Sequence, residues 1–235
     1  MYITKSITGD IGENFNWNEY FSSKSMPSDS PSQIFDIIQA VKKHLKEGGF
    51  NMTIAMNRVM NILLKDIKIH EPKVLELGAA TGFFTKWIIS KYGGKGLLID
   101  NNYSSYEAFC KDSKVIQDLI SYKVEDIFKL KLEEQFDITC SFGLIEHFVD
   151  KKEVLDVHKK YLKNDALSII IVPLDSPLTR TFFEVHPELN LGYRELLTES
   201  EFTSILSCNG FQVINTAITS GYVYDFIAAA CKANN

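Results

Sequence analysis

The stretch VLELGAATGFF, residues 74–84, decides the fold. Val74, Leu75 and Leu77 surround one carboxylate, Glu76, and the chain then runs into Gly78, Ala79, Ala80, Thr81 and Gly82. The apolar run reads as a buried strand, and TGFFTKWI (81–88) begins a helix. Between them lies a loop with almost no side chains. Such a loop lets backbone and ligand approach closely, and N–H groups exposed at a helix start can hold an anionic group. A plain tight turn is the competing reading.

Outward from this stretch the pattern repeats. Candidate strands are KVLEL (73–77), KGLLI (95–99), ISYKV (120–124), FDITCSF (136–142) and ALSIIIV (166–172), each followed by a longer periodic segment. Buried runs joined by helices indicate a parallel sheet covered on both faces. The end of the chain differs. FQVINTAIT (211–219) and YVYDFIAAAC (222–231) are separated only by Ser220 and Gly221, too short for a crossover, so an antiparallel hairpin is expected. Upstream, Ile34, Ile37, Ile38, Val41 and Leu45 recur at helical spacing, with Ser32 as N-cap and Gly48-Gly49 as the stop. A second helix is expected over about 52–66, carrying Ile54, Met56, Val59, Met60, Leu63 and Leu64. Residues 1–31 are polar and irregular, with aromatics at Trp17, Tyr20 and Phe21.

The 235 residues, 45% hydrophobic, suit one large domain or one domain with an extension. There is no apolar run of about 18 residues, so no membrane span is expected. The first residues lack a charged-then-apolar leader pattern, and a cytoplasmic location is expected. A net charge of −5 argues against a nucleic-acid partner. KKHLK (42–46) and KWIISKYGGK (86–95) read as solvated helix faces. None of the four cysteines sits in a CxxC pair, which argues against a zinc site or a disulfide framework; Cys140 and Cys231 read as small core residues.

The second strand, GLLID, ends in Asp100. A carboxylate there can accept hydrogen bonds from both hydroxyls of a ribose, which suggests an adenosine-containing cofactor. The loop lacks the GxGxxG spacing of dinucleotide enzymes and the GK[ST] ending of a Walker loop. The order ELGxxxG, an acid ending strand two, then VEDI after strand three, together with the terminal hairpin, resembles the class I S-adenosylmethionine-dependent methyltransferases over about residues 70–232.

That resemblance implies an α/β, Rossmann-like, doubly wound seven-stranded sheet in the order 3-2-1-4-5-7-6, strand seven antiparallel. It implies an N-terminal helical lid (1–70) on a core domain (71–235), with S-adenosylmethionine as cofactor. Glu76 would orient the loop and face the methionine amino group, and Gly78, Ala79 and Gly82 would line the methionine portion. Asp100 would grip the ribose with Asn101 beside it. Asp126 would receive the adenine amino group and Ile127 would pack there. Ser141, Phe142 and Gly143 would close the pocket floor, and Tyr20 would reach the cofactor from the lid. Ala80 stands where the family often has glycine, so the loop is expected to keep negative φ there. Asp100 and Asp126 read alternatively as helix caps, and residues 34–66 as a helical pair packed on the sheet edge.

Catalysis is expected beyond strands four and five. SFGLIEHFVD (141–150) places Glu146 and His147 after strand four, with His147 either a base or a packing residue. In PLDSPLTRTFFEVHPELNLGYRELLT (173–198), His186 and Tyr193 are candidate catalytic residues and Arg180 or Arg194 a candidate anion contact. Glu195 reads as part of a solvated helix start. The expected activity is methyl transfer to an oxygen or nitrogen of a small polar metabolite, anionic or sugar-like, with no metal, no membrane partner, and a homodimer compatible with the chain. A protein or RNA methyltransferase and a catalytically silent cofactor-binding partner protein are the rival readings.

Overall fold

In the computed structural model, which describes residues 2–4, 52–111, 118–190, 192–219 and 224–234, the apolar runs form the expected strands. They are β2 (Lys73–Leu77), β3 (Lys95–Asp100), β4 (Ile120–Val124), β5 (Phe136–Phe142) and β6 (Leu162–Pro173), closed by β8 (Phe211–Ile218) and β9 (Phe226–Ala233). Their spatial order is β4-β3-β2-β5-β6-β9-β8. Counted from Lys73, that is the expected 3-2-1-4-5-7-6. Pairing is parallel from β4 through β6, and β9 runs antiparallel to both β6 and β8. Strand order reverses between β2 and β5, and the ligand crevice of an open α/β sheet lies at such a switch point.

Period-two burial covers both faces. Ile169, Ile171, Ala228 and Ala230 pack on one side with α1 (Met52–Leu63) and α2 (Phe83–Tyr92). Ile170, Val172, Ala229 and Cys231 pack on the other with α4 (Lys151–Lys160) and α6 (Glu199–Cys208). The short α3 (Tyr103–Cys110) covers β3 and β4 through Phe109. Helix α1 lies against the sheet through Met56, Val59, Met60 and Leu63, and Asn215 of β8 donates to its last carbonyls, Ile62 O and Leu63 O, both at 3.2 Å. Those carbonyls have no partner within the helix, so a side chain from the sheet serves as its C-cap. The helix expected over 34–45, with Ser32 and Gly48-Gly49, lies outside the described residues.

Two further elements matter for the site. Helix α5 (Pro177–Val185) follows β6, capped by Ser176, whose side chain accepts from Thr179 N. The two-residue strand β7 (Glu195–Leu196) pairs antiparallel with β1 (Tyr2–Ile3). The start of the chain, expected to be irregular, is thus tied at residues 2–4 to the segment after α5. Thr4 N donates to Arg194 O at 3.1 Å and Thr4 Oγ1 to Asn190 Oδ1 at 2.7 Å. Glu195 is not in a solvated helix start. It is 3% exposed and ion-paired with the buried Lys151. Lys86, expected on a solvated face, is 2% exposed, with its ammonium 5.3 Å from the Phe109 ring centroid. Among the described residues, no helix is long and apolar enough to cross a membrane.

Candidate active site

The glycine loop is held from three sides. Gly78 (φ 63°), Ala80 (φ 46°) and Gly82 (φ 73°) all adopt left-handed backbone. The expectation of negative φ at Ala80 is therefore overturned, and two tertiary hydrogen bonds explain why. Ala80 N donates to Asp100 Oδ2 at 2.8 Å, and the hydroxyl of Tyr122 donates to Ala80 O at 2.9 Å. Both peptide groups flanking Ala80 are fixed, which outweighs a left-handed cost of about 1–2 kcal/mol for a residue with a Cβ. Ala80→Gly is expected to relieve part of it and stabilise the protein by about 1 kcal/mol, read as a higher urea midpoint at unchanged slope.

Gly82 caps α2 without a side-chain acceptor, and the missing cap comes from the preceding strand: Glu76 Oε2 accepts from Thr85 N at 2.8 Å. Glu76 lies buried beneath the loop, and burial raises its pKa to about 7. Positive φ at Gly78 and Gly82 disfavours a side chain at either, and a Cβ would in addition stand 2.7 Å from Leu144 Cδ1 and 2.3 Å from Leu98 Cδ1, so those leucines would have to shift.

Beyond the loop opens a cavity of about 600 Å³, a size that suits a cofactor and a small second ligand. On the β2–β4 side it is walled by Gly78, Ala80, Asp100, Asn101, Asp126 and Ile127. Asp100 Oδ1 accepts from Asn102 N at 2.9 Å, and burial raises its pKa. It is not the helix cap: Asn102 caps α3, accepting from Ser104 N and Ser105 N. Asp126 is partly exposed and accepts from Phe128 N at 3.0 Å.

On the β5–β9 side the wall is aromatic: Phe142, Phe148, Phe182, Phe183 and Tyr224. Ring centroids of Phe182 and Phe183 lie 5.2 and 5.5 Å from that of Tyr224. Three polar side chains break this surface: Glu146, His147 and Arg194. His147 Nδ1 lies 2.7 Å from Tyr193 O. A carbonyl only accepts, so Nδ1 carries the proton and Nε2 the lone pair. Burial, aided by the nearby Arg194 and Lys151, pushes the His147 pKa well down, keeping the ring neutral. Nε2 lies 3.7 Å from Glu146 Oε1. Arg194 stacks on Phe183 with its guanidinium carbon 4.2 Å from the ring centroid, and Nη1 donates to Leu189 O and Asn190 Oδ1 at 3.3 and 3.1 Å.

Glu146 is 1% exposed, and its Oε2 has no hydrogen-bond partner among the described residues. Burial raises its pKa to about 7, partly offset by Arg194 and Lys151. A carboxyl whose folded pKa lies above its unfolded value of 4.5 binds more protons in the folded state, so its contribution to stability falls as pH rises from about 4.5 through about 7. Glu146→Gln is therefore expected to raise Tm above about pH 8 but hardly below about pH 4.5, a difference on the order of 2–3 kcal/mol.

The cavity thus gathers Gly78, Asp100, Asn101, Asp126, Ile127, Phe142, His147 and Arg194 from the expected set. Glu76, Ala79, Gly82, Ser141, Tyr193, His186 and Arg180 lie off its wall. Ser141 points away because side chains alternate along β5: its hydroxyl meets the buried His158 Nε2 at 3.1 Å, while Phe142 faces the cavity. Tyr193 contributes its backbone carbonyl to His147, and His186 is exposed against the Phe182 ring at 5.0 Å. Arg180 forks onto Asp175 at 2.5 and 2.7 Å. Tyr20 lies outside the described residues. Sequence reasoning missed Tyr122 and the aromatic wall, and left Glu146 without a role.

A seven-stranded sheet ending in an antiparallel strand, with this crevice at its switch point, is the fold of class I methyltransferases. Residues 34–216 match the family described as methyltransferase domain, and the chain belongs to that family. Among solved structures it is similar to the N-methyltransferase NodS from Bradyrhizobium japonicum WM9 in complex with S-adenosyl-L-homocysteine, at 16% identity and a TM-score of 0.57 over 77% of this chain and 86% of that one. It is also similar to human N-acetylserotonin methyltransferase in complex with SAM (19%, TM-score 0.61, 93% and 63% of the chains). Magnesium protoporphyrin IX methyltransferase from Synechocystis PCC 6803 with bound SAH is a third (12%, 0.60, 87% and 98%). No curated protein matches.

Proposed function

We propose that the protein transfers a methyl group from S-adenosylmethionine to a nitrogen or oxygen of a small molecule. The observation that carries this reading is one continuous cavity joining a left-handed loop and a strand-end carboxylate to an aromatic wall that holds an unpartnered carboxylate oxygen. The residues fit the donor. Asp100 keeps lone pairs for ribose hydroxyls after accepting from Ala80 and Asn102, since a carboxylate has about four acceptor sites. Gly78 leaves the backbone open to the methionine portion, and Asp126 with Ile127 offers an acceptor beside an apolar surface for adenine. When bound, the donor supplies an electrophilic methyl group on a sulfonium.

The chain itself aligns and dehydrates the acceptor. Phe142, Phe182, Phe183 and Tyr224 exclude water, His147 is fixed in one tautomer by Tyr193 O, and Glu146 faces the acceptor space. Two of the solved structures of like fold are of methyltransferases named for small molecules, N-acetylserotonin and magnesium protoporphyrin IX, which favours a small acceptor over RNA or protein. Isothermal calorimetry of the full chain with S-adenosylmethionine, its demethylated product and NAD tests the reading. Micromolar binding of the first two is expected; preference for NAD, or no donor binding, overturns it.

A further inference from the structure

Three features of the acceptor side point in one direction. First, Glu146 lines the cavity, and its buried Oε2 has no hydrogen-bond partner among the described residues. A native fold leaves such an atom unsatisfied only rarely, because the lost hydration is expensive. Second, the charged side chains of the cavity wall are mostly acidic: Asp100, Glu125, Asp126 and Glu146 beside Arg194, with Glu125 and Asp126 ion-paired to Lys123 and Lys129. The guanidinium of Arg194 lies over the Phe183 ring, with Nη1 donating to Leu189 O and Asn190 Oδ1, contacts that hold it in the wall. On the aromatic side of the cavity an anionic acceptor would meet the Glu146 carboxylate and an arginine already engaged by Leu189 O and Asn190 Oδ1. Third, much of the remaining lining is aromatic, from Phe142, Phe148, Phe182 and Tyr224, and aromatic side chains attract cations and stack on apolar bodies.

We propose that the acceptor is an amine carried on an aromatic or similarly apolar body, held between the aromatic wall and Glu146, with Glu146 Oε2 taking the proton from the amine nitrogen. This rests on the methyl-transfer reading above and departs from the anionic acceptor expected from sequence. The step balances. An N–H bond of the ammonium breaks and its proton passes to the carboxylate. The freed nitrogen lone pair forms the N–C bond as the S–C bond of the sulfonium donor breaks, its electron pair remaining on sulfur. The products are an N-methyl ammonium and a neutral thioether.

The groups facing Glu146 suit this role. His147, on the same turn, is held neutral, and Lys151 of α4 and Arg194 before β7 keep the carboxylate from rising further. Lys151 itself is engaged by Glu195, so Glu146 remains available to a ligand.

Calorimetry with phenethylamine, phenethyl alcohol and phenylacetate, on the full chain with S-adenosylhomocysteine present, tests the proposal, since the three share one body and differ in one head group. The amine is expected to bind about 10-fold or more tighter than either other compound. Its affinity should rise through about pH 7 as Glu146 ionises. Glu146→Gln should erase both the preference and the pH dependence, while S-adenosylmethionine binding to the variant stays within about 3-fold of the wild type. The proposal is overturned if the alcohol or carboxylate binds as tightly as the amine, if none of the three binds, or if the preference survives Glu146→Gln. Loss of donor binding by the wild type would instead strike the methyl-transfer reading, so the two failures are separable.

Discussion

Glu195→Ala is expected to destabilise the protein by about 3–5 kcal/mol, close to the whole stability of many domains. Lys151 and Glu195 have side chains only 6% and 4% exposed. Lys151 Nζ also donates to Phe148 O at 2.9 Å, but that carbonyl alone cannot neutralise a buried ammonium. The position aggravates the loss, because Lys151 is the first residue of α4, where the helix dipole disfavours a cation. Glu195 is also half of β7, which holds β1, and its neighbour Arg194 faces the cavity. The single variant should therefore shift the urea midpoint sharply and weaken acceptor binding. Lys151→Met combined with Glu195→Leu should recover most of the stability, because two apolar side chains of similar volume leave no buried charge. If the double variant is as unstable as the single one, the ion pair is not the cause.

Asp100→Ala is expected to weaken S-adenosylmethionine binding by about 100-fold or more. Two losses combine. The carboxylate proposed for the ribose hydroxyls goes, and so does the acceptor that holds Ala80 N in its left-handed turn. Without that acceptor the loop is free to relax toward the negative φ that alanine prefers. Asp126→Ala, which removes a partly exposed side chain that accepts from the nearby Phe128 N and pairs with Lys129 at 3.4 Å, should cost about 10-fold. Asp100→Asn separates the two losses, since its amide oxygen can still accept from one backbone N–H. Calorimetry on the three variants would show an order of Asp100→Ala weakest, then Asp100→Asn, then Asp126→Ala. Equal affinities for wild type and Asp100→Ala would remove Asp100 from the donor site.

Much of this architecture is legible in the sequence because it depends on local pattern. The run Ile169–Val172 buries alternate residues on opposite faces, and a run with no polar position can sit only in a sheet covered on both sides. The short link between the last two strands forces a hairpin, and the pairing of β8 with β9 follows. The ends of β3 and β4 carry Asp100 and, just beyond, Asp126, so that side of the cavity could be placed from strand boundaries alone.

What went unread depends on partners far along the chain. Ala80 turns left-handed because Asp100 and Tyr122, 20 and 42 residues away, hold both sides of it. Lys86 and Glu195 looked solvated because a charge type alone does not reveal whether a buried partner waits for it. Ser141 and Phe142 are adjacent, yet one hydrogen-bonds with His158 and the other lines the cavity.

The sequence by itself therefore determined the layered sheet, its closing hairpin and the carboxylates at the strand ends, since each follows from residue periodicity and chain length. Only the tertiary structure decided the acceptor wall. Phe182 and Phe183 of α5, Arg194 and Tyr224 come from three segments, and they share a cavity with Glu146 only once β6 and β9 pair and β1 joins β7. Side-chain chemistry is written locally, but the field and hydration that give a buried carboxylate its task are properties of the packed whole.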